Sequence, residues 1–352
     1  MKIQIRCEDL LNGIRKAKDI CKKTINPILS NILIEALEDN IKIYSTNLNE
    51  YIMTTENAKV LKTGHVCINA EKIYQITSCL SGVLYLETID NFLYIENGNS
   101  KFKMMTIADK DFPLLEVKNE GTILNLDAKE FKESIRKNLI STSKIPNDLL
   151  NSICFNIENN ILELASTDGN RLSINKLNCI AYNTKFLIPK NTLINIIKYE
   201  INNIEIIVND KSAIFIIDNT IYKTNIITDD YPPYNKLIPN NRNIVTINKN
   251  ILLKSIEKIS VMANEKTNIV KLIFDNNKLI LLSESDNGSV EDIIDIDYNN
   301  EKLEICFNYL YILDFLKVVN NETVSIELDT SLSATIFKGE FLYLLMPVQM
   351  KG

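Results

Sequence analysis

Leu124-Asn-Leu-Asp-Ala-Lys-Glu-Phe-Lys-Glu-Ser-Ile135 changes period partway along. Its first three residues alternate apolar and polar, as a strand with one buried face does. Beyond Asp127, Phe131 and Ile135 stand four apart, which is the spacing of one helical face. The same passage from strand to helix occurs twice more. Ile3-Gln-Ile5 precedes Leu10, Leu11 and Ile14, and Val245-Thr-Ile247 precedes Leu252 and Ile256. Leu126 lies 121 residues after Ile5, and Ile247 lies 121 after Leu126. A fixed period of this kind governs the fold, so the rest of the unit has to follow it.

It does. Strand pairs come next at Ile32–Ser45, Ile153–Ser166 and Val270–Ser283, turning at Glu38-Asp39-Asn40, Glu158-Asn159-Asn160 and Asp275-Asn276-Asn277. A second strand–helix passage follows in each third: Val66–Ile68 into Ile73 and Ile76, Phe186–Ile188 into Leu193 and Ile197, Ile305–Phe307 into Ile312 and Leu316. More alternating strands close each third, at Val83–Glu87 and Phe92–Ile95, Ile204–Val208 and Ala213–Ile217, Val324–Leu328 and Ala334–Phe337. The expected fold is therefore α+β: three repeated domains, each a doubled β-α-β-β-β unit. Polar turn-formers near Asn119-Glu-Gly121 and Pro239-Asn-Asn-Arg242 divide them into 1–119, 120–241 and 242–352.

Composition narrows the function. A chain of 352 residues with 45% apolar and 24% charged residues is ordinary for a multidomain globular protein. No apolar run reaches the ~18 residues of a membrane span, and Met1–Arg6 reads as a strand and not a signal peptide. Seven scattered cysteines without a Cys-x-x-Cys pair suit reduced thiols in the cytoplasm. A single histidine, His65, disfavours His-based metal sites and Ser-His or Cys-His nucleophiles. With 9 glycines and no phosphate-loop motif, nucleotide chemistry is disfavoured as well. No cofactor, no metal and no catalytic residue is expected.

Charge gives the helices a direction. The chain carries a formal net charge of −6, yet the first helix of each third is positive by two. Arg15, Lys16, Lys18, Lys22 and Lys23 face Glu8, Asp9 and Asp19; Lys129, Lys132, Arg136, Lys137 and Lys144 face Asp127, Glu130 and Glu133. Lys249, Lys254, Lys258 and Lys266 face Glu257 and Glu265. Lysine-bearing helices in an acidic shell would admit nucleic acid to one face and repel it elsewhere. Nothing accompanies them that reads bases, so such contact would be independent of sequence.

One corner differs from its repeats. Ala165-Ser-Thr-Asp-Gly-Asn-Arg-Leu172 is a strand–turn–strand with an Asp168-Gly169 tip, because glycine accepts the positive φ of a tight turn. Arg171 and Leu172 stand just past the tip.

At this point the sequence resembles the bacterial DNA polymerase III beta subunit, or DNA sliding clamp, family over its whole length. The motifs are Pro27-Ile-Leu-Ser-Asn31, Ala165–Leu172, Asp230-Tyr-Pro-Pro-Tyr234 with Leu237-Ile-Pro239, Ala263-Asn-Glu-Lys266 and Met346-Pro-Val-Gln349. The resemblance implies a non-catalytic processivity factor. A head-to-tail homodimer would close a ring around double-stranded DNA, with helices inside and sheet outside. Its implied partners are the replicative DNA polymerase catalytic subunit, a clamp-loader ATPase and other replication or repair proteins bearing a clamp-binding peptide; no membrane is involved. That peptide would dock between domains 2 and 3 on Leu150, Thr167, Gly169, Arg171, Leu172, Pro232, Lys236, Leu237, Ser333, Leu344, Met346, Pro347 and Val348. An apolar cleft walled by methionine and proline suits leucine and phenylalanine anchors. DNA would face Lys23, Lys72, Lys144 and Lys190, and ring closure would rest on Phe102, Val261 and Met262. Asn170, Lys236 and Val348 depart from the residues frequent in the family, and Met350-Lys-Gly352 runs past its usual end. The rival readings are a ring-shaped scaffold that never encircles DNA, and a carboxylate-metal enzyme using Asp229, Asp230, Glu284 or Asp286.

Overall fold

The computed structural model describes residues 1–21, 27–115, 117, 120–146 and 148–349. Lys23 and Met350–Gly352 lie outside the described residues, as does Asn119 at the first expected boundary. Six α-helices lie among the described residues: α1 (Cys7–Lys18), α2 (Ala70–Ser78), α3 (Ala128–Leu139), α4 (Lys190–Ile197), α5 (Lys249–Ser260) and α6 (Tyr309–Val318). Each follows one strand and precedes three, giving six successive copies of a β-α-β-β-β unit, with one additional strand at Lys59–Lys62.

Before α2, α5 and α6 the polar break between strand and helix is a side-chain cap, whereas Arg6 before α1 makes no cap bond. Asn69, Asn248 and Asn308 end their strands, and their side chains accept N–H groups from Lys72 (3.0 Å), Asn250 and Ile251 (3.0 and 3.2 Å) and Leu310 (3.0 Å). Each such cap is worth about 1 kcal/mol. The helices then bury the stripe expected of them: Leu10 and Ile14, Phe131 and Ile135, Leu252 and Ile256, Ile312 and Leu316 are all buried. The Asn-Asn turns carry consecutive left-handed residues, with φ of 52° and 62° at Asn159 and Asn160 and of 47° and 61° at Asn276 and Asn277. Asparagine tolerates that region better than most side chains.

Within each third the two copies exchange their leading strands. Lys2–Arg6 pairs antiparallel with Val83–Ile89 of the second copy, and Gly64–Asn69 pairs with Asn31–Ala36 of the first. The middle and last thirds repeat this, with Thr122–Asn125 on Ile204–Val208, Thr184–Pro189 on Ser152–Glu158, Asn243–Asn248 on Thr323–Leu328 and Leu303–Asn308 on Ile269–Asp275.

The closing strands join one third to another. Thr220–Asn225, the last strand of the fourth copy, pairs with Glu50–Asn57, the last strand of the first, in the register Thr220 with Thr54 through Thr224 with Glu50. Arg171–Asn178, last in the third copy, pairs with Leu342–Leu345, last in the sixth, in the register Arg171 with Leu345 through Ile174 with Leu342. Each junction fuses two four-stranded halves into an eight-stranded antiparallel sheet. Compactness accordingly cuts through the middle third: one unit holds Met1–Lys129 and Asn191–Ile226, the other Glu130–Lys190 and Ile227–Gly352.

The second unit is centred on aromatic residues. Phe307 and Phe337 pack at 5.9 Å between ring centroids, Phe315 and Phe337 at 5.8 Å, and Phe315 and Tyr343 at 5.3 Å. All four are fully buried. In the first unit Gly121 opens the strand Thr122–Asn125 with φ of 151°, and a Cβ there would stand 2.3 Å from the Val208 carbonyl oxygen. Backbone cannot yield as a flexible side chain does. Gly121→Ala should therefore lose about 1–3 kcal/mol of stability, measured as a lowered midpoint in thermal unfolding; an unchanged midpoint would show that the turn relaxes freely.

Candidate functional site

The hairpin between Ile161–Thr167 and Arg171–Asn178 is held from within. Gly169 takes φ of 89° at its tip. The Thr167 hydroxyl donates to the Arg171 carbonyl at 2.7 Å and accepts the Gly169 N–H at 3.1 Å. One Asp168 carboxylate oxygen accepts the N–H groups of Asn170 (3.0 Å) and Arg171 (3.2 Å). An Asx turn of this kind sets the local shape of the tip.

Arg171 lies beneath the surface, its side chain 2% exposed. Nε donates to Asp168 at 2.9 Å, and one terminal nitrogen donates to Asp314 Oδ2 of α6 at 2.6 Å. The guanidinium covers the Tyr311 ring at 4.1 Å from its centroid, and the Tyr343 hydroxyl lies 3.5 Å away. Burial alone would lower its pKa, but Tyr343 and the Asp314 and Asp168 carboxylates raise it above the ordinary arginine value. The expected rim cation is thus a buried link between the hairpin and α6.

Leu150, Leu172 and Leu344 meet in one apolar cluster with Cys154, Ala165, Ile174, Leu187, Tyr231 and Tyr234. Burial pushes the Cys154 thiol up to about 12, so it stays protonated and apolar. Around this bed, Met346 and Leu237 stand exposed, and Pro232, Pro347 and Val348 are half-buried. The Met346 N–H donates to the Asn170 carbonyl at 2.9 Å, which joins the C-terminal segment to the hairpin tip. Lys236 is exposed in the short turn Tyr234–Leu237, and the Ser333 hydroxyl serves its own turn by accepting the Thr330 N–H at 2.9 Å.

Two tyrosines do what sequence alone did not assign. The Tyr231 hydroxyl accepts the buried Thr167 N–H at 3.0 Å, and the Tyr234 hydroxyl donates to Glu163 at 2.7 Å. Both stand inside the Asp230–Tyr234 motif, where flanking prolines stiffen the chain. Asp314, Tyr311 and Tyr343 gave no local signal, because what selects them is a guanidinium 143 residues away from Asp314.

Of the basic residues, Lys72 is exposed in the first turn of α2 and Lys144 is exposed. Lys190 opens α4 half-buried; burial, then Lys144 and Arg171, depress its pKa. Phe102 is half-buried on the strand Ser100–Met105, Val261 is 75% exposed at the end of α5, and Met262 is half-buried. Beside Ser100–Met105 runs a groove of about 1240 Å³ counted to open solvent, lined by Pro27, Ile76, Met104, Met105 and Ile107 with Lys72 and Lys103 among them. Among the described residues no group of three or more His, Cys, Asp or Glu is placed to hold a metal, and no helix is long and apolar enough to cross a membrane. Asp229, Asp230, Glu284 and Asp286 are exposed.

Six copies of one unit, four of them paired through their closing strands, with an apolar bed at the second junction, define a three-domain clamp fold. The chain belongs to the DNA polymerase III beta subunit family: its N-terminal, central and C-terminal domain models match residues 1–116, 125–233 and 235–348. The beta sliding clamp of Synechococcus elongatus is 27% identical over 376 residues, covering 100% of both chains. That of Buchnera aphidicola is 26% identical over 354 residues, covering 97% of this chain and 96% of its own. The crystal structure of the Bacillus subtilis DNA polymerase sliding clamp superposes with a TM-score of 0.94 at 21% identity, covering 100% of both chains.

Tyr231→Phe tests the site's frame. It strands the Thr167 N–H in an apolar surrounding, so stability should fall by about 1–3 kcal/mol and exchange of the Thr167 amide should accelerate; unchanged exchange would mean that Tyr231 does not hold the hairpin.

Proposed function

We propose that two copies of this chain close head-to-tail into a ring around duplex DNA and act as a processivity clamp. The observation that carries this reading lies in the closing strands. Those of copies one and four pair, and so do those of copies three and six. The closing strands of copies two and five, Ser100–Met105 and Gly288–Asp295, are outer edges of their sheets. By the rule the other four obey, each is a partner for the other on a second copy.

Charge favours the same pairing. Ser100–Met105 carries Lys101 and Lys103, while Gly288–Asp295 carries Glu291, Asp292 and Asp295. Two identical edges would meet like with like, and unlike edges attract. Val261 and Met262 stand beside the acidic edge, with the Met262 sulfur 4.0 Å from the Cβ position of Gly288. The groove beside the cationic edge would receive them against Ile76, Met104, Met105 and Ile107, with Phe102 on the same strand. Domains 1–119, 120–241 and 242–352 would then each occur twice, placing six domains around the ring with helices within.

The inner helices would meet phosphate through Lys72, Lys144, Lys190 and the undescribed Lys23. The leucine bed with Thr167, Gly169, Arg171, Pro232, Lys236, Leu237, Ser333, Met346, Pro347 and Val348 would take a short apolar peptide from the replicative polymerase, the clamp-loader ATPase or a repair protein. The chain itself would catalyse nothing and need no cofactor, and it would work in the cytoplasm. Its retention on DNA would be topological.

Two measurements test this. A ring loaded on a closed circle should survive salt that dissolves ordinary lysine–phosphate contacts and should leave once the circle is cut; equal loss from circular and linear DNA would refute encirclement. In solution the chain should run at twice 40.2 kDa, and Val261→Glu should return it to the monomer mass, whereas a variant that stays dimeric would place the interface elsewhere.

A further inference from the structure

We propose that Asp314 is a positioning residue for the peptide pocket, acting through Arg171 and touching no peptide itself. The inference rests on the pocket reading above. Three elements meet at the Arg171 guanidinium: the hairpin through Asp168, the C-terminal strand through Tyr343, and α6 through Asp314 and Tyr311. Asp168 belongs to Arg171's own hairpin, so their pair fixes the tip internally but ties it to nothing else. Asp314 is the carboxylate that joins the tip to another element, in a charge-assisted bond of 2.6 Å.

The two partners differ in exposure. The Arg171 side chain is 2% exposed and that of Asp314 43%. A buried cation beside a half-exposed anion has no second place to go, whereas the anion does. Loss of the Asp314 charge would therefore leave the guanidinium in a closed space with Asp168 as the carboxylate still bonded to it. The consequence would reach the pocket along the backbone. Thr167 and Leu172 are the last register pair of the hairpin, and the Asn170 carbonyl holds the Met346 N–H at 2.9 Å. Movement of the tip displaces the leucine bed and the methionine wall together. Tyr343 completes the frame, because its hydroxyl also donates to the Tyr311 carbonyl at 3.0 Å.

The experiment compares the full-length protein with Asp314→Asn, Asp314→Glu, Arg171→Lys and the double variant Arg171→Lys/Asp314→Asn. The probe is a fluorescein-labelled decapeptide with leucine and phenylalanine anchors, read by anisotropy. Asp314→Asn should weaken binding about tenfold, Asp314→Glu should recover most of it, and the Asn penalty should vanish in the Arg171→Lys background. Undiminished affinity in Asp314→Asn, or an equal penalty in both backgrounds, overturns the proposal. Amide exchange on the peptide-free protein provides an independent arm. Asp314→Asn should speed exchange at Gly169, Asn170, Arg171 and Met346, and unchanged exchange there overturns the positioning role. Should the wild type bind no probe, the pocket reading fails, and the exchange arm still decides whether Asp314 holds the hairpin.

Discussion

The structure depends on main-chain pairing between closing strands. A sheet edge exposes unpaired N–H and C=O groups, and a protein must cover, charge or pair it. Here the same strand of the repeat meets its counterpart from a copy three positions on, antiparallel, at both internal junctions. Because hydrogen bonding uses backbone alone, side chains at a junction are free to differ. One geometry can thus serve as a plain joint in one place and as a site in another.

The two joints have diverged in that way. At the first, Thr54 and Thr220 share a hydrogen bond of 3.0 Å, Thr192 donates to Glu50 at 2.7 Å, and Tyr222 donates to the same carboxylate at 3.2 Å. Buried polar groups that already satisfy one another offer little to an apolar ligand and would be costly to separate. At the second, Leu172 lies opposite Leu344, with Leu150 alongside. Arg171 there is turned inward and paired with the Asp168 and Asp314 carboxylates. Leu237 and Met346 remain exposed beside this buried bed, apolar surface on which the proposed peptide reading rests.

Much of this was legible in the chain. Period-two and period-four apolar spacing placed Leu10, Phe131, Leu252 and Ile312 on buried helix faces, and Asn-Asn pairs marked turns, because both signals are local. The second strand–helix passage inside each 121-residue repeat revealed the doubled unit, because its spacing is local as well. Strand exchange was not legible, since Gly64–Asn69 reads as a strand whichever copy it joins. The fate of Arg171 was hidden too: its burial is decided by Asp314 and Tyr343, which no spacing connects to it. Val261 and Met262 illustrate the reverse difficulty. Apolar residues closing a helical stripe look like core, yet Val261 is 75% exposed.

Strand exchange also bears on how the chain is made. Ile5 pairs with Leu84, so the strand Lys2–Arg6 gains this partner only 79 residues later. At about 5–20 residues per second that interval is about 4–16 s. In that time Lys2–Arg6 can pair with Lys59–Lys62 and α1 can pack on the strands of its own copy, but the partner strand Val83–Ile89 is still missing. Each third must therefore emerge nearly whole before its exchanged strands are all paired, and nascent chains cut between paired copies would leave open sheet edges to chaperones and proteases.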